Sequence, residues 1–216
     1  MSAALDQMVS QQVRTCEVPD PVTLATLRSV PRERFVPGPW RDYSYAEFAI
    51  PLPHGKRMLT PMVAGRLLQA LAARDGDHAL EIGTGSGYVS ACLARMGAQV
   101  RSLELHAGIA EQARLNLSAA GVRGVQVETA DGTLLDEEAR YDCIVLTASQ
   151  PTIDERYQRA LRHGGRLFLV HGTNLNGTLM DAVLIRRTAS GFDTKLLFQT
   201  AIERLEHVAV PPPFRF

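Results

Sequence analysis

The chain has no excess of either charge: 23 Lys and Arg face 23 Asp and Glu among 216 residues. That balance gives no support for tight binding to a phosphate backbone, so nucleic acid is not an expected partner. Cysteine is scarce and its count is odd. Cys16, Cys92 and Cys143 are the three, and no Cys-x-x-Cys pair occurs. A disulfide framework and a zinc site are both disfavoured, no metal is expected, and a reducing, cytoplasmic setting is the simpler one. Long hydrophobic runs are missing too. Nothing approaches the roughly 18 apolar residues that a membrane span needs, so no membrane association is expected. Met1 to Arg14 shows no signal-peptide pattern. The glycosylation-type triplets Asn116-Leu-Ser118 and Asn176-Gly-Thr178 therefore carry little weight. What is present, 45% apolar and 21% charged residues, suits one globular domain with a sizeable core.

The first 60 residues differ from the rest. Residues 3–14 read as a helix, and Pro21 opens a second one to about Ser29. Then Pro31, Pro37, Pro39, Pro51, Pro53 and Pro61 alternate with Phe35, Trp40, Tyr43, Tyr45 and Phe48. So long an irregular stretch reads either as a binding lid or as a packed cap, and both readings are open. From Thr60, a candidate cap with Pro61 behind it, the pattern is regular and a helix runs to about Ala73. Strands are expected at 78–82, 99–104, 125–129, 141–147 and 165–171. Helices are expected at 87–96, 107–120 and 154–162, with a less clear helical connection at 132–139. This alternation implies a parallel sheet. Leu179 to Arg186, Ser190-Gly191 and Phe192 to Thr200 read as a hairpin closing it antiparallel. The expectation is a single domain, 1–216, with residues 1–60 as cap and substrate-side segment and 61–216 as core.

Glu81-Ile-Gly83-Thr-Gly85-Ser-Gly87 sits between the first core strand and a helix beginning at Tyr88. Strand, glycine turn and helix make a nucleotide-binding unit. The spacing is not Gly-x-Gly-x-x-Gly, which argues against a dinucleotide. About 20 positions on, Glu104 ends the second strand, where a carboxylate can accept from both ribose hydroxyls. Together these point to S-adenosylmethionine, and hence to methyl transfer. Backbone amides across Gly83, Thr84, Gly85, Ser86, Gly87 and Tyr88 suit the cofactor's carboxylate. Glu81 either organises the loop or faces the ammonium. Leu105 and His106 are placed to flank the adenine, and Asp131, between Ala130 and Gly132, to bind its amino group. Thr147 ends the fourth strand facing the same crevice.

Further segments widen the match: Val30-Pro-Arg-Glu-Arg-Phe-Val-Pro37, Tyr45-Ala-Glu47, Leu80 to Tyr88, Ala130-Asp-Gly132, Tyr141-Asp-x-Ile-Val-x-Thr-Ala148 and Gly164-Gly-Arg-Leu167. On these the chain resembles the protein-L-isoaspartate O-methyltransferase family, from about Val30 to Val170. The resemblance implies a Rossmann-like class I methyltransferase: a mostly parallel seven-stranded sheet with a C-terminal antiparallel hairpin, helices on both faces and an N-terminal cap. It implies S-adenosyl-L-methionine as cofactor, S-adenosyl-L-homocysteine as product, and isoaspartyl proteins or peptides as substrate. A monomer is expected, with a dimer left open. The family's Gly-Gln-Thr-Ile-Ser-Gln-Pro stretch corresponds to Gly55-Lys-Arg-Met-Leu-Thr-Pro61. The family's Ser, implicated in catalysis, falls on Leu59, and Thr60 beside it carries the nearest hydroxyl. Thr60 reads as helix cap or catalytic group. Lys56 and Arg57 read as charge-assisted donors to a carboxylate or as solvated loop. A related methyltransferase with a small-molecule substrate, and a cofactor binder with weak or no repair activity, are the alternatives. Asn176-Gly177 is a site prone to deamidation or an ordinary turn.

Overall fold

Thr60 and Pro61 open the regular part of the chain. In the computed structural model, which describes residues 2–172 and 179–208, the Val63 amide donates to Thr60 Oγ1 at 3.4 Å. Helix α3 (Pro61–Leu71) follows, after α1 (Ala3–Gln7) and α2 (Pro21–Ser29). Strands β1 (His78–Ile82), β2 (Gln99–Glu104), β3 (Val125–Thr129), β4 (Tyr141–Gln150) and β5 (Leu161–His171) then alternate with α4 (Tyr88–Arg95), α5 (Ala107–Ala119) and α6 (Glu155–Ala160). Strands β6 (Met180–Arg187) and β7 (Phe192–Thr200) complete a seven-stranded sheet of order β3-β2-β1-β4-β5-β6-β7. The first five strands are parallel, and β6 and β7 run antiparallel to their neighbours.

Period-2 alternation divides the apolar residues between two faces. Leu80, Ile82, Ile144, Leu146, Leu167 and Leu169 pack on one side with Tyr157. Ala79, Cys143, Val145, Phe168 and Val170 pack on the other, with α3, α4 and the N-terminal cap. Burial pushes the Cys92 and Cys143 thiols up to about 12, which disfavours the reactive thiolate; Cys143 Sγ also contacts Arg166 and Asp77. No helix among the described residues is long and apolar enough to cross a membrane.

Several elements differ from expectation by more than a residue or two, and β5 begins at Leu161, not 165. The helix expected at 3–14 becomes π-helical over Met8–Val13. Its wider turn buries Met8, Val9 and Val13 together. The 132–139 connection is a single 3-10 turn, Gly132–Leu134. Asp131 captures that turn by accepting from the Thr133 amide and hydroxyl, and Leu134 has no face to bury. β4 runs on to Gln150 because Ser149 and Gln150 pair with Val170 and His171 of β5, and Ser149 also bridges to Arg204. α6 stops at Ala160 because Leu161 is extended and pairs with Tyr141. Asn176-Gly177, and residues 209–213 of the proline-rich tail, lie outside the described residues.

Gly65 lets the cap dock. A Cβ there would lie 2.5 Å from Val13 Cγ1, and a β-branched side chain has little room to yield. Gly65→Ala is expected to lower stability by about 1–3 kcal/mol, read as a reduced urea midpoint.

Candidate functional site

β1 pairs with β2 on one side and β4 on the other, and the chain reverses its winding there. Ligands of open α/β sheets bind in the crevice beyond the carboxyl ends at such a point. Here a cavity of about 710 Å³ opens at that place. Gly83, Gly85, Glu104, Leu105, His106, Ala130, Asp131, Gly132 and Thr147 all line it, as do Leu59 and Thr60. Residues from five separate parts of the sequence thus share one space.

The glycine loop is pinned from β4. Gly83 has φ 92°, and a Cβ on it would sit 2.5 Å from Thr147 Oγ1. With no Cβ there, the Thr147 hydroxyl donates to the Gly83 carbonyl at 2.5 Å. Glu104 is buried, yet its carboxylate is held at the cavity wall. The Gly85 amide donates to one oxygen at 2.9 Å, and the His106 amide to the other at 3.1 Å. The amides of Gly83 and Gly87 are engaged as well, by the carbonyls of Leu103 and Thr84.

Glu81, Thr84, Ser86, Gly87 and Tyr88 are absent from the cavity lining. They lie behind it and support the loop. The buried Glu81 carboxylate accepts from Ser90 and, at 2.6 Å, from Ser102. Ser102 uses its proton there, so Thr84 donates to Ser102, across 2.6 Å. The Ser86 carbonyl accepts from Asn116 at 3.0 Å. Tyr88 packs edge-on against Phe35 at 5.6 Å, with the Arg32 guanidinium 5.1 Å from its ring centre.

On the opposite wall, Leu59 presents a side chain with no donor. Its carbonyl accepts from buried Arg32 at 2.6 Å, so the 55–61 loop is held from behind. The Thr60 hydroxyl is directed to the start of α3. His106 stacks on His54, centres 4.2 Å apart and planes 4° from parallel.

A segment that sequence reading passed over completes the site. Residues 201–206 line the cavity mouth. The Ser149 amide donates to the Glu203 carbonyl at 2.8 Å, and the Leu205 amide to the Ser149 carbonyl at 2.9 Å. Glu203 pairs with Arg57 at 3.0 Å, and Glu206 pairs with Lys56 and, at 2.9 Å, with His106. Lys56 and then His106 pull the Glu206 carboxyl down to about 2. His207 Nδ1 lies 2.6 Å from Asp131. Burial acts to raise the Asp131 carboxyl, but Thr133 and His207 outweigh it and hold it low. The one sequence signal was the charge-rich Glu203-Arg-Leu-Glu-His207 run. Arg32 was quoted within Val30 to Pro37, but nothing in the sequence marked it as the support of the Leu59 loop.

The sheet order, the glycine turn and the cavity at the switch point define a Rossmann-like methyltransferase architecture. A family model described as protein-L-isoaspartate(D-aspartate) O-methyltransferase matches residues 4–195. A protein-L-isoaspartate O-methyltransferase of Rhodopseudomonas palustris (strain HaA2) is 35% identical over 193 residues, covering 89% of this chain and 77% of that one. One from Methanoculleus marisnigri is 40% identical over 163 residues, covering 75% and 74%. A Plasmodium falciparum structure solved with S-adenosyl-L-homocysteine superposes with a TM-score of 0.80, covering 94% and 98%. At 18% identity it shows the shared fold. This chain belongs to the protein-L-isoaspartate(D-aspartate) O-methyltransferase family, whose members are S-adenosylmethionine-dependent enzymes.

Glu81 gives the site a pH signature. Burial, with the Glu104 charge adding to it, outweighs the Ser102 and Ser90 hydroxyls and raises its carboxyl from 4.5 to about 7. The folded chain then holds a proton that the unfolded chain releases at lower pH. This group's contribution to stability falls as pH rises from about 4.5 to about 7, and is flat above. Glu81→Gln is expected to remove that slope. Urea midpoints at about pH 5 and about pH 7.5 should separate more in the parent chain than in the variant.

Proposed function

We propose that this chain transfers a methyl group to the α-carboxylate of isoaspartyl residues in proteins or peptides, with the cavity at the β1/β4 switch holding both cofactor and substrate. The observation that carries this is the meeting in one cavity of Glu104 and Asp131 from the strand ends with the Lys56–Thr60 loop.

The residues suit the cofactor. A carboxylate fixed by two amides has lone pairs left for two ribose hydroxyls, the role assigned to Glu104. Asp131 is assigned to the adenine amino group, with Ala130, Leu105 and His106 as apolar and stacking walls. Gly132 is needed for close packing of this turn on β1, since a Cβ on it would meet the Ile82 side chain at 2.5 Å. The bound cofactor supplies an electrophilic methyl group on a sulfonium.

An isoaspartyl carboxylate is ionised at neutral pH, so the chain needs no general base for it. Its task is to exclude water and to hold one oxygen in line. Positioning of that kind supplies roughly 7–11 kcal/mol in favourable cases. Leu59, with Leu52, Met58 and Val63, makes the apolar side of the cavity and excludes water. Thr60, committed to the helix cap, is assigned to loop geometry.

Transfer of labelled methyl from S-adenosylmethionine to an isoaspartyl peptide, with the aspartyl peptide as control, tests the reading. Label on the isoaspartyl peptide alone is the expected result. No label, in protein that binds S-adenosylhomocysteine, would shift the substrate elsewhere. Leu59→Ser adds a donor beside the carboxylate and is expected to raise kcat/KM by about fivefold to tenfold. Glu104→Gln replaces an acceptor with a donor facing the same amides. Its affinity for S-adenosylhomocysteine, measured by calorimetry, is expected to drop about tenfold or more.

A further inference from the structure

The loop that lacks a hydroxyl at Leu59 carries two cations, Lys56 and Arg57, and both line the cavity. Each holds a carboxylate. Glu206 pairs with Lys56, and Glu203 pairs with Arg57 at 3.0 Å. Both carboxylates come from the segment that crosses the cavity mouth. Ammonium and guanidinium groups are strong donors to any carboxylate, whichever chain brings it.

We propose that Lys56 and Arg57 are the carboxylate receptor of this site, and that Glu203 and Glu206 fill it as internal surrogates until a substrate carboxylate displaces them. The receptor stands wherever the substrate has a carboxylate. Only the identity of that substrate rests on the isoaspartyl reading.

Exposure makes displacement easy. The side chains of Glu203 and Glu206 are each 37% exposed, and that of Arg57 is 55% exposed. Ion pairs so open to water contribute little. The segment's backbone is anchored by Ser149 of β4 and by Ile202 and Leu205 packed on the two cores, so displacement asks only that the glutamate side chains swing out. An incoming carboxylate regains the donors that the leaving one gives up, and the released glutamate is rehydrated. His106 would be freed in the same movement, because Glu206 holds it. Opening the receptor and releasing His106 of the assigned adenine wall are therefore one event.

The test uses the full chain saturated with S-adenosylhomocysteine for binding, and with S-adenosylmethionine for turnover. Succinate serves as a plain carboxylate probe, followed by NMR titration, and the isoaspartyl peptide as the turnover substrate. Glu203→Gln combined with Glu206→Gln empties the receptor. It is expected to tighten succinate binding and to lower the peptide KM, each about fivefold. Lys56→Gln combined with Arg57→Gln removes the receptor. It is expected to weaken succinate and raise the peptide KM about tenfold, with the loss falling on KM. Exchanging the cations, Lys56→Arg with Arg57→Lys, should restore most of that loss and guards against a variant that misfolds. Succinate affinity and KM indifferent to all three changes would overturn the receptor. So would weaker binding in the glutamine-for-glutamate pair. Succinate binding that follows the charges, without methyl transfer to the peptide, would keep the receptor and remove the isoaspartyl reading. Transfer with an indifferent KM would do the reverse.

Discussion

The contact between Thr147 and Gly83 is what the site depends on. It joins β4, three residues before that strand ends, to the glycine turn after β1, where the winding of the sheet reverses. The approach is closer than any side chain would permit: a Cβ on Gly83 would lie 2.5 Å from the hydroxyl. Closing that gap aims the turn toward the crevice, and it leaves Glu104 of β2 within reach of the Gly85 amide. The loop is also held from beneath, through Thr84, Ser102, Glu81 and Ser90. A chain of hydroxyls on one buried carboxylic acid makes a rigid support only while each donor finds an acceptor. The raised Glu81 carboxyl belongs to that support, because a neutral acid is cheaper to bury than an anion.

Charge is distributed unevenly over the site despite the zero total. The glycine side ends in acids, Glu104 and Asp131. The facing loop ends in bases, Lys56 and Arg57. Such a division suits a cofactor with hydroxyls and an amino group on one side and an anionic substrate on the other. The segment at residues 201–208 matches both walls at once. Its glutamates meet the bases and its His207 meets Asp131. This complementarity makes the segment a stand-in for ligand, not only a terminal extension of β7.

How far the sequence could be read depended on the range of the interaction. β1, β2 and β3 were legible because each is a short run bounded by glycine, aspartate or a helix pattern. Glu104 and Asp131 at the strand ends followed from them, since a parallel sheet puts all such ends on one edge; Thr147, expected to end β4, faces the same crevice from inside a strand that runs on to Gln150. The 132–139 stretch misled because Leu134 and Leu135 resemble a helical pair. A local side chain, Asp131, decides that turn instead. The lengths of β4 and β5 depend on each other across the ladder, through Ser149 with Val170 and Tyr141 with Leu161, and no local pattern carries them. Arg32 lies 27 residues from the carbonyl it supports, and Glu206 lies 100 from His106. Contacts of that range exist only once the sheet has formed.

Leu59 has to be judged with Arg32 behind it. A buried guanidinium needs acceptors, and burial lowers its pKa against the pull of the Tyr88 ring system and Glu47. The Leu59 carbonyl supplies one acceptor at 2.6 Å. That bond uses the backbone and not the side chain, so it is indifferent to whether residue 59 is leucine or serine. The loop therefore keeps its path when the hydroxyl is absent. What changes is only the chemistry displayed to the cavity: an apolar surface at Leu59 and charge three and two residues earlier. A fold that fixes its substrate loop through the main chain leaves its side chains open to change. The wall assigned to the cofactor displays side chains, Glu104 and Asp131, and has no such freedom.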